Sequence, residues 1–259
     1  MRIGWVADNP GFMGGAERNV KVLAGAAPEG VEIVPCRPGA DWPDVDMFVV
    51  HNCVHYDVRD VHQLQRAPVV KAAYDLWKDG DMRLRAWIAE HAVAVVMVSP
   101  MQREWIDWRL DAPIEYVPSA VDLAPFKAAR ADAKAGNVWI GRLERGKGLH
   151  AALAWAQTQG EPLDVYGFGR LAKDLEGEPW YHGMLEHTAV PPVLGAAKRF
   201  VFLPQQPDPC PRSVIEAWAA GCELVLNGNV GTLWWLENEP EALENAAERF
   251  WEVIERYGP

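Results

Sequence analysis

The stretch "NVWIGRLERGKGLHAALAWAQTQGEPLDVYG", residues 137–167, contains the pattern that decides the fold. Its two ends, 137–141 and 162–167, are short runs rich in apolar residues, and each predicts a strand. Residues 148–159 lie between them and have the length and composition of a helix. A strand, a helix and a second strand in this order predict one parallel βαβ unit.

The same rhythm precedes this unit. The apolar runs there are rich in valine and do not alternate with polar residues, as expected for parallel strands that are buried on both faces. The predicted strands are 2–7, 31–36, 47–52, 69–74 and 93–99. The predicted helices between them are 16–27, 57–66, 81–91 and 101–109.

The rhythm also continues after the unit, so the chain predicts two successive α/β series and two nucleotide-binding lobes. The later strands are predicted at 180–184, 199–204 and 222–228, and the later helices at 190–197, 212–221 and 239–258. The predicted domains are an N-terminal lobe (1–125), a linker (126–136), a C-terminal lobe (137–238) and a terminal helix (239–259) that packs back on the N-terminal lobe.

Composition narrows the class of protein. The chain has 259 residues, is 49% hydrophobic and carries a net charge of −11, which disfavours binding to nucleic acid. The four cysteines have no paired short spacing, which argues against a zinc site and predicts a cytoplasmic protein. We expect no integral membrane segment, because no stretch is long and apolar enough.

Two strand-to-helix junctions carry charged side chains that a fold alone does not require. In "IGRLERGKGL" (140–149), Arg142 and Lys147 suit a diphosphate, although a solvated basic loop is the alternative. In "DPCPRSVIEAWAAG" (208–221), Asp208 follows a strand and Glu216 lies in a largely apolar helix. A buried carboxylate needs a partner, which is either a protein group or a pair of ligand hydroxyls.

These and other segments, taken together, resemble the retaining GT-B glycosyltransferases of family 4, relatives of glycogen synthase and the bacterial mannosyltransferases. The resemblance rests on seven motifs in the family's order, and it covers nearly the whole chain. They are "GGAE" (14–17), "VSPMQREWI" (98–106), "VPSAVD" (117–122), "IGRLERGKGL" (140–149), "YGFG" (166–169), "YHGML" (181–185) and "DPCPRSVIEAWAAG" (208–221). It implies two Rossmann-like lobes that face each other across a cleft.

The resemblance also implies roles in binding a nucleoside-diphosphate sugar. Arg142 and Lys147 match the basic pair that binds the diphosphate, and Glu216 matches the acid that holds the ribose. Gly14 and Gly15 match the glycine loop of the first lobe, which faces the sugar diphosphate. Glycines at a strand–helix junction let a ligand approach the backbone closely.

Further matches complete the predicted donor site. Asp208 matches the acid that contacts the donor sugar. The backbone amides of Ser213 and Val214, at a helix start, match the phosphate cradle. The backbone at Gly183 and Met184 matches the pocket for the base.

The chain departs from the family pattern at several predicted catalytic positions. It has Asp208 where the family usually has glutamate, and Tyr74-Asp75 where the family often has His-Asp. The family's histidine near the reacting sugar is therefore either missing or replaced in role by Tyr74, His51 or His55. We prefer His51, which ends a predicted strand.

The implied function is a retaining, metal-independent transfer of a hexose from a UDP- or GDP-sugar to an acceptor hydroxyl. No cofactor is expected, and the acceptor is a glycan, a lipid, a protein, a small molecule or a modified base. The alternatives are a nucleotide-sugar epimerase on the same fold and a catalytically dead nucleotide-sugar-binding module.

Overall fold

A computed structural model describes residues 1–7, 15–51, 55–74, 82–106 and 109–259. The chain divides into two compact units. Unit 1 consists of Met1–Val121 with Trp234–Pro259, and unit 2 consists of Asp122–Leu233.

Unit 1 is built on a six-stranded, fully parallel sheet. Its strands are β1 (Arg2–Val6), β2 (Glu32–Cys36), β3 (Met47–Val50), β4 (Val69–Ala73), β5 (Ala94–Met97) and β6 (Ile114–Tyr116). The order across the sheet is β2-β1-β3-β4-β5-β6. The helices between strands are α1 (Gly15–Gly25), α2 (Val61–Leu64), α3 (Met82–His91) and α4 (Pro100–Trp105).

The central strands of this sheet are buried on both faces, as the valine-rich runs predict. All four residues of β3 have no exposed surface. Because side chains alternate along a strand, Phe48 and Val50 enter one hydrophobic cluster, and Met47 and Val49 enter the other.

Unit 2 has a four-stranded parallel sheet in the order β10-β9-β7-β8. Its strands are β7 (Ala135–Arg142), β8 (Leu163–Phe168), β9 (Ala197–Phe202) and β10 (Glu223–Leu226). Its helices are α5 (Ala124–Ala128), α6 (Leu149–Gln159), α7 (Val190–Ala196) and α8 (Arg212–Ala219). The βαβ unit predicted from residues 137–167 is confirmed as β7, α6 and β8.

The C-terminal segment forms α9 (Thr232–Asn238) and α10 (Ala246–Tyr257). Within unit 1, the indole N–H of Trp251 on α10 donates to the carbonyl of Leu23 on α1 over 2.9 Å. Glu115 on β6 accepts hydrogen bonds from Arg256 and Tyr257 on the same helix. In the described ranges, no helix is both long and apolar enough to cross a bilayer.

Some predicted elements differ from the structure. Residues 180–184 form no strand, because only one isolated bridge joins Tyr181 to Val165. The helix predicted over 239–258 is interrupted: a 3₁₀ turn at Pro240–Leu243 precedes α10. The predicted linker, 126–136, contains the end of α5 and the start of β7. Among the strands and α-helices of the described residues, β6, α5 and α9 were not predicted.

Gly195 in α7 lies against the end of α5. A Cβ atom at this position would be 1.9 Å from the carbonyl oxygen of Ala129. We therefore expect Gly195→Ala to lower the free energy of unfolding by about 2–4 kcal/mol, because the overlap is with backbone and forces the helices apart. Urea unfolding measures the change. Gly228→Ala is the control, since nothing lies within 4 Å of its added Cβ; equal stabilities of the two variants would contradict the prediction.

Candidate functional site

Of the charged residues singled out in the second half of the sequence, Lys147 and Asp208 lie in loops at one edge of the unit 2 sheet, whereas Arg142 ends β7 and Glu216 lies on α8. The strands are parallel, so the loops that follow β7, β9 and β10 all leave the sheet at its carboxyl edge, where ligands of such folds bind. These loops are 143–148, 203–211 and 227–231.

Backbone hydrogen bonds join the loop 143–148 to the loop 203–211. The carbonyl of Gly146 accepts hydrogen bonds from the amides of Gln205, at 3.0 Å, and Gln206, at 3.4 Å. Gly148 has φ of 81°, and an added Cβ would lie 2.0 Å from the carbonyl oxygen of Leu203. Glycine is therefore required here, and it lets Lys147 come close to the neighbouring loop.

Asp208 is fixed by the third loop. Its amide donates to the carbonyl of Asn229 over 2.8 Å, and its own carbonyl accepts from the amide of Gly231 over 2.9 Å. These bonds form an isolated parallel bridge between Asp208 and Val230. The backbone of Asp208 is thus anchored on both sides.

Lys147 and Asp208 form an ion pair in which Nζ lies 2.6 Å from Oδ2. The side chain of Asp208 is 12% exposed, and that of Lys147 is 39% exposed. The sequence predicts that both residues bind the donor, but it does not predict that they bind each other. The two residues are 61 positions apart, and only the packing of their loops shows the contact.

Glu216 is also paired within the protein. Its Oε1 lies 3.8 Å from Nη2 of Arg212, one turn earlier on α8, and the two side chains are only 9% and 10% exposed. Arg212 is not among the site residues predicted from the sequence. The i,i+4 spacing of an arginine and a glutamate on one helix is the signal that indicates it.

The remaining predicted phosphate ligands are Arg142 and the backbone amides of Ser213 and Val214. Arg142 ends β7 and is half-exposed, with Nη2 3.9 Å from Oε1 of Glu144. Ser213 and Val214 lie in the first turn of α8, as predicted. The Val214 amide donates to the carbonyl of Pro211 over 3.1 Å, so this amide already has a partner inside the protein.

The segment that contains Gly183 and Met184 is held against β8. The amide of Gly167 donates to the carbonyl of Gly183 over 2.8 Å. His182 contacts Asp164 at 2.8 Å and stacks on the ring of Tyr166, so it has partners inside the protein. The Met184 side chain is 59% exposed.

The predicted sites of unit 1 are only partly described. Gly14 and Asp75 lie outside the described residues. Gly15 begins α1 and is exposed. His51 and Tyr74 come together, with Nδ1 of His51 2.5 Å from the Tyr74 hydroxyl. The catalytic roles given to His51, Tyr74 and Asp75 stay predictions.

His51 has the surroundings of a packed core residue. Its ring has no exposed surface and lies 4.2 Å, between centroids, from that of Trp5. Burial, with a smaller contribution from the Lys71 ammonium group, holds the pKa of His51 well below its usual value. Burial raises the pKa of the Tyr74 phenol, which therefore keeps its proton and forms a hydrogen bond with Nδ1 of a neutral His51. Among the described residues, Nε2 of His51 has no hydrogen-bond partner.

A buried neutral histidine makes stability depend on pH. The unfolded chain takes up a proton at this residue as the pH falls through about 6.5, whereas the folded chain does not. The free energy of unfolding is therefore expected to fall below that pH, with a contribution from His51 of up to about 1.4 kcal/mol per pH unit. His51→Asn keeps an acceptor for Tyr74 and should flatten this part of the profile.

Unfolding in urea between pH 8 and pH 5 measures the two slopes. His62→Asn is the control, because the His62 side chain is exposed. The assignment to His51 is wrong if parent and His51→Asn lose stability with the same slope.

Comparisons with known proteins find the fold but no sequence relative. No family model matches the chain, and no curated protein does. AviGT4, a glycosyltransferase involved in avilamycin A biosynthesis, is 17% identical with a TM-score of 0.62 over 99% of this chain and 92% of its own. HepE from Anabaena, in complex with UDP and glucose, is 12% identical with a TM-score of 0.67 over 99% and 95%.

Sucrose-phosphate synthase from Thermosynechococcus elongatus is a third match. It is 16% identical, with a TM-score of 0.64 over 97% of this chain and 90% of its own. Similarity at such low identity establishes the fold alone. The chain has the α/β fold of the GT-B glycosyltransferases, as the sequence predicts.

Proposed function

We propose that this protein is a glycosyltransferase that moves a hexose from a nucleoside-diphosphate sugar, a UDP- or GDP-sugar, to an acceptor hydroxyl. One observation carries the proposal. The carboxyl edge of the unit 2 sheet carries an arginine at the end of β7, a lysine paired with a fixed carboxylate in the loops, and the first turn of α8 after the loop that holds the carboxylate. HepE, which shares the fold, is described in complex with UDP-glucose.

In this proposal the bound donor takes the place of the protein groups with which these charged side chains form ion pairs in the structure. Lys147 and Arg142 bind the diphosphate, because an ammonium and a guanidinium group are suited to phosphate oxygens. Glu216 accepts hydrogen bonds from the ribose hydroxyls, and Asp208 accepts them from the sugar. The backbone at Gly183 and Met184 receives the base.

The same groups account for the chemistry. When the bond between the anomeric carbon and the diphosphate breaks, its electron pair stays on the leaving oxygen. Lys147, Arg142 and the amino end of α8, at Ser213 and Val214, stabilise that growing charge. The acceptor oxygen then bonds to the anomeric carbon, and its proton passes to the leaving diphosphate. We propose attack from the same face of the sugar, which retains the anomeric configuration.

Binding and turnover with a panel of nucleotide sugars test the function. UDP- and GDP-sugars are added to the full chain, and binding is followed by calorimetry. Donor consumption is then measured with and without glycan, lipid and small-molecule acceptors, and the anomeric configuration of the product is determined by NMR. Transfer, or hydrolysis of a bound donor, supports the proposal.

Other outcomes of this test identify the alternatives. Release of an isomerised free sugar would indicate an epimerase. Binding of a nucleotide sugar without transfer or hydrolysis would indicate a binding module. If no nucleoside diphosphate and no nucleotide sugar binds, the proposed function is wrong.

Metal independence is a separate expectation of this proposal. Because protein cations and helix amides neutralise the diphosphate, turnover in a chelator such as EDTA should equal turnover without it. The initial rate is measured before and after chelation, and again after manganese is added back. Activity that disappears with EDTA and returns with manganese would contradict this expectation.

A further inference from the structure

The Lys147–Asp208 ion pair places two groups with different proposed ligands in contact with each other. The pair is short, with 2.6 Å between Nζ and Oδ2. It joins the group proposed to bind the diphosphate to the group proposed to bind the sugar. A ligand that takes Lys147 therefore leaves the Asp208 carboxylate without its cation.

The two partners differ in how freely they can move. Asp208 is anchored by backbone bonds to Asn229 and Gly231, and its side chain is only 12% exposed. Lys147 is 39% exposed, and its side chain is long and flexible. When the pair opens, Lys147 moves and Asp208 remains in place.

A carboxylate that is largely removed from water and has lost its cation is unfavourable unless new hydrogen bonds replace it. An intact nucleotide sugar supplies those bonds, because the sugar hydroxyls are donors. A bare nucleoside diphosphate has no sugar to offer and brings further negative charge close to Asp208. The cost of opening the pair is therefore offset for the substrate and not for the product.

We propose, on the basis of the proposed function, that Asp208 competes with the nucleoside diphosphate for Lys147 and so makes the site favour the intact nucleotide sugar over the product that remains after transfer. Once the sugar has been transferred, Asp208 forms its ion pair with Lys147 again, and the affinity of the site for the nucleoside diphosphate falls. The ion pair thus limits product inhibition, in addition to the contact that Asp208 makes with the sugar.

The test is the affinity of Asp208→Asn for the nucleoside diphosphate that the parent binds. Asparagine has nearly the same shape but does not form the ion pair, so Lys147 is free for the phosphate. We expect the variant to bind the nucleoside diphosphate about threefold to fivefold more tightly than the parent, the upper part of the range expected for a partly exposed ion pair. It should bind the intact nucleotide sugar no more tightly than the parent does. Asp208→Glu keeps the charge and should keep the weak binding of the product.

A matched control removes the effect of net charge. Glu161→Gln deletes one negative charge in the same unit, where Glu161 pairs with Arg199 instead of Lys147. It should leave the affinity for the nucleoside diphosphate within about twofold of the parent. Thermal unfolding checks that each variant is folded.

A double-mutant cycle attributes the gain to Lys147. In a Lys147→Gln background, Asp208→Asn should no longer improve binding of the nucleoside diphosphate, because the competition has been removed. The inference is overturned if Asp208→Asn gains no more than Glu161→Gln, or if the gain persists without Lys147, which would indicate direct repulsion of the phosphate by Asp208. If the parent binds no nucleoside diphosphate at all, it is the proposed function that has failed.

Discussion

Lys147→Gln is expected to lower kcat/KM for the nucleotide sugar about 100-fold to 1,000-fold, the usual effect of removing one group that stabilises charge in the transition state. Glutamine can still donate a hydrogen bond but carries no charge. The loss should fall mainly on kcat, because the charge on the leaving diphosphate is larger in the transition state than in the bound donor. Steady-state kinetics of donor consumption measures both parameters.

Two further variants separate this role from a general loss of positive charge. Lys173→Gln removes an exposed lysine from a 3₁₀ turn of the same unit and should retain the parent kcat/KM. Lys147→Arg keeps the charge, and its kcat/KM should fall between those of the parent and Lys147→Gln. The reason is that a guanidinium group is bulkier than the ammonium group that now lies beside Asp208. Parent-like kinetics of Lys147→Gln would remove Lys147 from the proposed mechanism.

The sequence predicts the parallel sheets well because their signal is local. The runs at 47–52 and 93–99 begin with four and six consecutive apolar residues, and strands buried on both faces need that composition. It misses β6, which has only three residues, Ile114–Tyr116, and is partly exposed at the edge of the sheet. A short edge strand lacks both the length and the apolar run on which prediction depends.

The site is predictable as a set of loops but not as a set of contacts. Placing Lys147 and Asp208 at carboxyl ends of parallel strands requires only the strand pattern. Their pairing depends on the bonds of Gly146 to the loop after β9 and of Asp208 to the loop after β10, which connect residues far apart in the chain. No spacing in the sequence contains that information.

His51 shows a different limit of prediction. The sequence correctly places it just after β3, but the end of a strand does not determine which way the next side chain points. In the structure the ring is covered by Trp5, Tyr74 and Phe250. All three contacts come from segments more than 20 residues away, and that of Phe250 comes from the C-terminal helix α10.

Glu216→Gln is expected to weaken binding of both the nucleotide sugar and the bare nucleoside diphosphate about 10-fold to 150-fold, equivalent to about 1.5–3 kcal/mol for a hydrogen bond to a charged group. Both ligands contain the ribose, so both should lose affinity by a similar factor. This pattern is opposite to that of Asp208→Asn, which should bind the product more tightly. Calorimetry with the two ligands distinguishes the two acids.

The ion pair with Arg212 provides the other explanation of such a loss, because Glu216→Gln leaves a nearly buried guanidinium without its carboxylate. The double variant Arg212→Met/Glu216→Gln removes both charges and so separates the explanations. If Glu216 acts only by holding Arg212, the double variant should recover the parent affinity. If it binds the ribose, the double variant should stay weak.

The ribose itself gives the decisive comparison. The parent should bind the 2′-deoxynucleoside diphosphate more weakly than the ribonucleotide, because a Glu216 carboxylate that accepts from both hydroxyls loses one partner. The Glu216→Gln variant should discriminate much less between the two, since the charged acceptor has already been removed. Equal discrimination by parent and variant would place the ribose hydroxyls elsewhere and leave Glu216 as the ion-pair partner that holds Arg212 in the first turn of α8.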